Sequence, residues 1–161
     1  MKKILFLILT SGPAYAQVDN DSTTTKRQVS LLVGYNGFKY QFLELGIAGN
    51  NVEIYRQHAT AVTYFASAEI MIDKDPVIGP KVGIWLGNSL VLGLNAIYYT
   101  NNNEGSLQLR PELGIGLSTF KVVYGYNAAI TNKQFDRINK HMLSLAYTPR
   151  IVKLKDRRGI H

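Results

Sequence analysis

Seven charged residues occur in the middle of segments whose polarity otherwise alternates, and they are the first candidates for chemistry. They are Glu44, Glu69, Lys81, Arg110, Glu112, Lys121 and Arg150. Burying an unpaired charge costs several kcal/mol, so we expect these side chains to share one polar interior in which opposite charges pair. Glu69 and Glu112 could also form a carboxylate pair for acid–base chemistry, but ion pairing is the commoner role of such carboxylates.

The sequence contains no recognised motif for nucleophilic, phosphate or metal chemistry. It has no GxSxG, P-loop or HExxH pattern. Its histidines, His58, His141 and His161, do not have the spacing of metal ligands. We therefore expect no metal, no cofactor and no enzymatic activity.

A second group of cations lies in a polar segment near the C-terminus. Lys133, Arg137 and Lys140 fall within 132–140, which has no hydrophobic periodicity and is predicted to be a loop. These side chains could attract the phosphates of lipids. Solvation on an exposed loop is the ordinary role of such residues.

The segments that must position the mid-segment charges alternate with period two, which is the pattern of β-strands. Between Leu107 and Leu117 one face is entirely apolar, while the other carries Arg110 and Glu112 among polar residues and glycines. The segment from 120 to 130 repeats this plan, with a lysine on the polar face. We therefore predict a hairpin with one apolar face and one charged face.

Turn residues divide the rest of the chain into similar segments, which predicts an all-β sandwich or barrel of eight strands. Asn36-Gly37 predicts a tight hairpin turn, and 49–59 is predicted to be a long connection. Pro80 and Pro111 fall inside strands, where each removes a ladder hydrogen bond. The predicted strands are Gln28–Tyr35, Phe38–Ala48, Thr60–Ile72, Val77–Leu86, Ser89–Thr100, Leu107–Leu117, Phe120–Ile130 and His141–Ile151.

The first 16 residues have the pattern of a cleavable export signal. A positively charged start precedes a short apolar run, and Ala14-Tyr15-Ala16 is a small-x-small cleavage site. Cleavage would leave 161 − 16 = 145 residues, a length that suits one domain. We divide the chain into a signal peptide (1–16), a flexible lead-in (17–27), a β-barrel (28–152) and a basic C-terminal tail (153–161).

Composition narrows the classes of function. The formal charge is +7, and removal of Lys2 and Lys3 with the signal leaves 7 − 2 = +5. A basic balance often indicates nucleic acid binding, but an exported chain rarely meets nucleic acid, so we expect no such partner. The chain has no cysteine and therefore no disulfide. No later segment has the run of about 20 apolar residues that a membrane helix needs, so any insertion must use strands.

The same alternation fits two environments. A membrane barrel turns the apolar face to lipid and the charges inward, whereas a soluble lipocalin-like barrel or sandwich reverses the two faces. Tilted membrane strands have about 9–11 residues. The predicted strands are close to this length, which favours lipid. Aromatic residues at strand ends also favour it. So does the alternation of short turns, at 87–89 and 118–119, with longer loops at 101–105 and 132–140.

The export signal, the eight alternating strands and the charged interior together resemble the small bacterial outer-membrane β-barrel proteins of the eight-stranded type. The resemblance covers Gln28 to Val152. It implies an antiparallel up-and-down transmembrane barrel in the bacterial outer membrane, with an interior too narrow for an open pore. Such chains often end on a strand with a terminal aromatic residue, whereas this chain continues to His161.

The resemblance implies a structural, adhesive or surface-interaction role, with outer-membrane lipids and an extracellular or periplasmic protein as partners. A ligand- or lipid-binding barrel is the alternative, either soluble and lipocalin-like or a lipid-modifying membrane enzyme. Lipid-modifying barrels resemble esterases and carry a His and a Ser two residues apart on one lipid-facing strand. His141 and Ser144 are three residues apart, so we expect them to face opposite sides.

Overall fold

A computed structural model shows an all-β chain whose antiparallel strands form one closed barrel. The structure describes residues 23–55, 58–101, 103–117, 119–154 and 157–159. The predicted signal peptide and the first part of the lead-in lie outside the described residues. None of the described residues forms a helix that is long and apolar enough to cross a membrane.

The eleven strands of the described residues form eight antiparallel walls, because two of the walls consist of more than one strand. β7 and β8 share one register against β6, and β9, β10 and β11 all pair with β1, so that the last wall closes the barrel onto the first. The predicted all-β antiparallel barrel of eight walls is therefore confirmed. The strands are β1 (Thr23–Gly37), β2 (Gln41–Tyr55), β3 (His58–Met71), β4 (Ile78–Leu86), β5 (Leu90–Thr100), β6 (Gly105–Leu117), β7 (Phe120–Tyr126), β8 (Ala128–Ala129), β9 (His141–Tyr147), β10 (Arg150–Lys153) and β11 (Arg157–Gly159).

The connections fall at two ends of different character. The capped end contains the turn 38–40 and the loops 72–77, 101–104 and 130–140. The open end contains the short turn 87–89 and both ends of the described chain. Among the described residues, the longer loops thus lie at the capped end.

The two faces of the walls have opposite polarity. β7 exposes Phe120, Val122 and Tyr124 and buries Lys121 and Val123 between them. β9 repeats the same alternation of exposed and buried positions. Because side chains alternate along a strand, the outer face of the walls is apolar, whereas the inner face carries the buried polar and charged residues together with buried apolar ones.

The predicted long connection at 49–59 is wrong, because β2 and β3 continue as a paired hairpin as far as Tyr55 and His58. Asn50 does not end its strand, since its side chain turns inward. Its amide donates to Ser30 Oγ at 2.9 Å and its Oδ1 accepts from Thr63 Oγ1 at 2.7 Å. An asparagine with interior partners is stable within a strand.

Other predicted boundaries also move. Asn36 and Gly37 pair with Phe42 and Gln41 within the β1–β2 ladder, so the turn is 38–40. Asn36 faces inward and donates to Glu44 Oε2 at 2.9 Å, which accounts for its position within the strand. β1 begins at Thr23, inside the predicted lead-in, because β11 from the predicted tail pairs with its first residues.

Both prolines remain inside strands, and each interrupts one ladder only. Pro80 pairs with Ala68 on β3, whereas the β4–β5 pairing is broken beside it. Pro111 pairs with Leu94 on β5, and the wall on its other side is broken between β7 and β8. The missing N–H of a proline would face a single neighbour, so the other ladder continues.

Candidate functional site

Side chains fill the barrel interior in four layers between the capped end and the open end. The cap layer is apolar and consists of Phe42, Met71, Val77, Ile97, Tyr99, Phe135 and Met142. The ionic layer consists of Glu44, Glu69, Lys81, Arg110 and Glu112. The girdle is apolar again and consists of Leu32, Ala48, Phe65, Trp85, Val91, Val123 and Ala146. The mouth layer is polar and consists of Ser30, Asn50, Thr63 and Lys121.

Glu69 is the centre of the ionic layer. Arg110 approaches it with two nitrogens, Nη1 at 2.7 Å from Oε1 and Nη2 at 3.1 Å from Oε2. Lys81 Nζ lies 3.0 Å from Oε1, and the Tyr99 hydroxyl donates to Oε2. A two-point contact between guanidinium and carboxylate is among the strongest charge-assisted pairs, so this group holds β3, β4, β5 and β6 together.

Glu44 extends the layer across the barrel to β2. It accepts from Lys81 Nζ at 2.9 Å, from Ser67 Oγ at 2.6 Å and from Asn36 Nδ2 at 2.9 Å. Lys81 therefore bridges two carboxylates. All of these side chains are buried, with the exception of the half-buried Ser67, so the charges are compensated inside the barrel, as a desolvated charge requires.

Glu112 lies at the lower edge of the ionic layer and joins it to the girdle. Its Oε2 accepts from Trp85 Nε1 at 2.7 Å, and its Oε1 is 3.8 Å from Arg110 Nη1. Gly125 leaves the room that this arrangement needs. A Cβ at that position would lie 2.7 Å from Arg110 Cδ, so a larger residue there would displace the arginine.

The structure brings five of the seven charges singled out in the sequence into this layer. Lys121 is buried in the mouth layer, with its Nζ 5.1 Å from the centre of the Trp85 ring. Arg150 is exposed and lies outside the ionic layer, although it pairs with the buried Ser30 in the same register as β9. The bulge between β1 and β10 follows Arg150, because Val29 and Ser30 are consecutive but pair with Val152 and Arg150, which are two apart. Arg150 therefore keeps the inward parity of β9 but lies near the open end, away from the other charges.

The loop 130–140 folds over the capped end and is anchored to the layers below. Phe135 enters the apolar cap layer. Asn139 Oδ1 accepts from the backbone N–H groups of Lys39 and Tyr40 at 3.0 and 2.8 Å. Asn127 Nδ2 donates to the Asn139 carbonyl at 2.6 Å, and Asn127 Oδ1 accepts from Arg110 Nε at 2.8 Å. The cap is therefore tied to the ionic layer by hydrogen bonds.

Phe135 and Asn139 were not predicted from the sequence. The available signal was an aromatic residue within an otherwise polar loop. Such a residue on a loop beside a barrel mouth suggests a plug.

The three loop cations are placed differently from one another. Lys133 and Lys140 line a cavity of 320 Å³ beneath the capping loop, together with Gln108, Tyr126 and Asn139. Arg137 does not line that cavity.

Arg137 forms ion pairs with a neighbouring loop of the capped end. Its Nη2 lies 2.6 Å from Asp73 Oδ2, and its Nη1 lies 3.7 Å from Asp75. The backbone N–H of Lys74 and the Arg137 guanidinium hold the pKa of Asp73 below its usual 3.8. This pair fixes the capping loop to the 72–77 loop.

Comparison with known proteins provides no relative from which a role could be transferred. No family model, no curated protein and no solved structure matches the chain significantly. The assignment of a function therefore depends on the geometry of the barrel itself.

His141 and Ser144 lie on opposite faces of β9, as their spacing predicts. His141 is exposed and its Nδ1 lies 2.5 Å from the Tyr124 hydroxyl, whereas Ser144 is buried. The two side chains do not form a nucleophile and base pair. Among the described residues, no group of three or more His, Asp or Glu side chains is placed to hold a metal ion.

Proposed function

We propose that this chain is an integral protein of the bacterial outer membrane, with a structural, adhesive or surface-interaction role and no open pore. The main support for this proposal is that the polarity of the two faces of the sheet is the reverse of that in a soluble barrel. The outer surface of the barrel is apolar, while five charged side chains fill one layer of the interior.

The apolar belt is continuous around the barrel. Leu94 on β5 is 53% exposed and Ile115 on β6 is 67% exposed, and comparable leucine, isoleucine, valine and tyrosine side chains occur on the other walls. Monomeric soluble proteins rarely expose an apolar patch larger than a few hundred Å². A soluble lipocalin-like barrel would bury this face, so lipid is the environment that fits it.

Aromatic side chains at both rims support the same environment. Tyr35, Phe38 and Tyr98 are exposed near the capped end. Phe120 and Tyr147 stack at the open end, with ring centres 4.5 Å apart. Membrane barrels carry aromatic residues along both borders of the lipid-facing band. The exposed aromatic rings at the two rims match this arrangement.

The interior supports a closed barrel. The cap layer and the girdle both cross the interior with buried apolar side chains, and the ionic layer between them is internally paired. Eight strands enclose a space that side chains can fill. We therefore assign the interior to stability and the capped end, with its longer loops, to contact with an extracellular partner.

The basic test is the dependence of the folded state on detergent. We expect the exported protein to fractionate with outer membranes, to need detergent to remain folded in solution, and to migrate faster on a denaturing gel unheated than boiled. Recovery of a folded, soluble monomer in the absence of detergent would contradict the proposal.

A pair of arginine substitutions tests the lipid contact directly. Leu94→Arg places a charge in the middle of β5 on the outer face, which costs about 2–4 kcal/mol at the centre of a bilayer. Phe38→Arg is the matched control, because Phe38 is 73% exposed at a turn, where the cost should be about 0–1 kcal/mol. Urea unfolding in lipid vesicles measures both, and equal effects would contradict a lipid-facing Leu94.

The cavity beneath the capping loop favours a second candidate, a lipid- or ligand-binding role at the capped end. Lys133 and Lys140 on its wall provide charge for a lipid phosphate. We expect the double variant Lys133→Ala/Lys140→Ala to bind short-chain phosphatidate more weakly than wild type, and Arg137→Ala to retain binding.

Lipid modification requires a separate assay, in which identical lipid profiles for wild type, His141→Ala and a no-protein control would reject an enzyme.

A further inference from the structure

A small polar cavity lies inside the open end of the barrel, opposite the capping loop. Its volume is 110 Å³, and its walls include Gln28, Asn50, Thr63, Asn88 and Lys121. This space can hold a few water molecules or one small polar group. It is separated from the cavity beneath the capping loop by the girdle and the ionic layer.

Lys121 on the wall of this cavity is a buried cation that has no anionic partner among the described residues. Its exposure is only 7%, and no carboxylate of the described residues lies within ion-pair distance of its Nζ. Among the described residues, its one electrostatic contact is a cation–π contact with the face of the Trp85 ring. A buried charge is ordinarily paired, so this lysine is conspicuous beside the paired Lys81.

The interior acids do not compensate Lys121. Glu44 and Glu69 are each held by Lys81 and by further donors in the ionic layer. Glu112 is held by the Nε1 edge of Trp85, whereas Lys121 lies against the ring. Glu112 and Lys121 therefore contact different parts of the same indole and form no ion pair with each other.

The polar neighbours in the mouth layer provide donors rather than negative charge. Asn50 Oδ1 already accepts from Thr63 Oγ1, and one N–H of its amide donates to Ser30. An amide has two such donors, so one N–H of Asn50 remains for a ligand. The amides of Gln28 and Asn88 add donors to the same wall.

We propose that this cavity is a binding site for one oxyanion group, a carboxylate or a phosphate. The ammonium group of Lys121 supplies the charge and the mouth amides supply hydrogen bonds, which together are what an oxyanion requires. The volume admits a single such group and excludes a nucleotide. The site belongs to the barrel interior and is independent of what surrounds the outer wall.

The test uses the full chain folded in an uncharged detergent, with fluorescence of Trp85 as the signal, because Trp85 is the single tryptophan of the chain and contacts Lys121. Inorganic phosphate, acetate and short-chain phosphatidate are titrated separately at constant ionic strength. We expect a saturable change with at least one of them. Saturation by phosphate or acetate identifies a soluble anion as the source, and saturation by phosphatidate alone identifies a lipid headgroup.

Three variants assign the signal to the cavity. Lys121→Met should weaken binding at least tenfold, while Lys74→Met, an exposed change on the 72–77 loop at the other end, should bind as wild type does. Asn50→Asp places a carboxylate within the mouth and should abolish anion binding while supplying an internal partner for Lys121, so it serves if Lys121→Met does not fold. No saturable response to any of the three anions, or unchanged affinity in both Lys121→Met and Asn50→Asp, would overturn the proposal.

Discussion

Cations enter the barrel interior toward both ends, but the two ends treat them differently. Near the capped end Lys81 bridges two glutamates and Arg110 grips Glu69 with two nitrogens. Near the open end, the Trp85 ring is the only group among the described residues that makes an electrostatic contact with Lys121. Strand alternation puts all three side chains inside, whereas neighbours from other strands decide whether each charge is used for stability or left available.

The two ends also differ in how they are closed. Phe135 and Asn139 seal the capped end and connect it through Asn127 to the ionic layer. At the open end the described connection 87–89 is short, and a polar cavity lies beside it. The capped half is thus built as a continuous network, and the open half contains the one buried cation of the ionic and mouth layers that has no acid beside it.

The sharpest way to test this difference is to remove the arginine of the ionic layer. Arg110→Met leaves Glu69 buried with two of its four hydrogen bonds, which should lower the free energy of unfolding by about 3–5 kcal/mol. Urea unfolding in detergent or vesicles, followed by Trp85 fluorescence, measures the loss. The double variant Arg110→Met/Glu69→Gln should recover part of it, because the side chain at position 69 no longer carries a charge. A loss of less than about 1 kcal/mol would mean that the ionic layer is not the stabilising network described here.

The connection between cap and barrel is expected to have a smaller, local effect. Asn139→Leu leaves the N–H groups of Lys39 and Tyr40 without their acceptor, at a cost of about 1–3 kcal/mol. Hydrogen exchange at these two amides should accelerate, while exchange in the strands stays unchanged. Gln134→Leu, an exposed change on the same loop, is the control and should leave both amides protected. Equal exchange in the two variants would exclude the anchoring role of Asn139.

The equivalent removal of a cation at the open end should have little effect on stability. In Lys121→Met the lost contact with the Trp85 ring, worth about 0.5–2 kcal/mol, is offset by removal of an unpaired buried charge. We expect the free energy of unfolding to change by no more than about 1 kcal/mol in the absence of added anion. A loss as large as that of Arg110→Met would show that Lys121 has an internal partner, and the contrast between the two ends would disappear.

The smallest expected effect concerns the exposed ion pair at the capped end. The folded pKa of Asp73 lies below its ordinary 3.8, so the stabilisation is complete above 3.8 and is lost as pH falls through the lower folded pKa. Cleavage of the 130–140 loop by an acid-stable protease should therefore increase over that range. Asp73→Asn should remove this part of the pH dependence, and an unchanged profile would exclude the pair as a clasp of the loop.

Local alternation was sufficient to predict which face carries the charges and how many walls the sheet has. Glu69 and Arg110 could be assigned to the interior because parity along a strand is a local property. Arg150 has the same inward parity but is exposed near the open end, and parity alone does not tell how deep in the barrel a side chain lies. Asn50 was interpreted as a strand end for a similar reason, because its stabilising partners, Ser30 and Thr63, lie on other strands.

The sequence by itself determined which segments alternate and which charges share a face of their strand, because each of these follows from the order of polar and apolar residues along a short segment. Only the tertiary structure decided which face is outside, which charges pair, and that a loop plugs one end. These depend on closure of β1 onto β9 and on distances between residues far apart in the chain. That difference explains why Lys81 and Lys121, equivalent by alternation alone, end in opposite electrostatic surroundings.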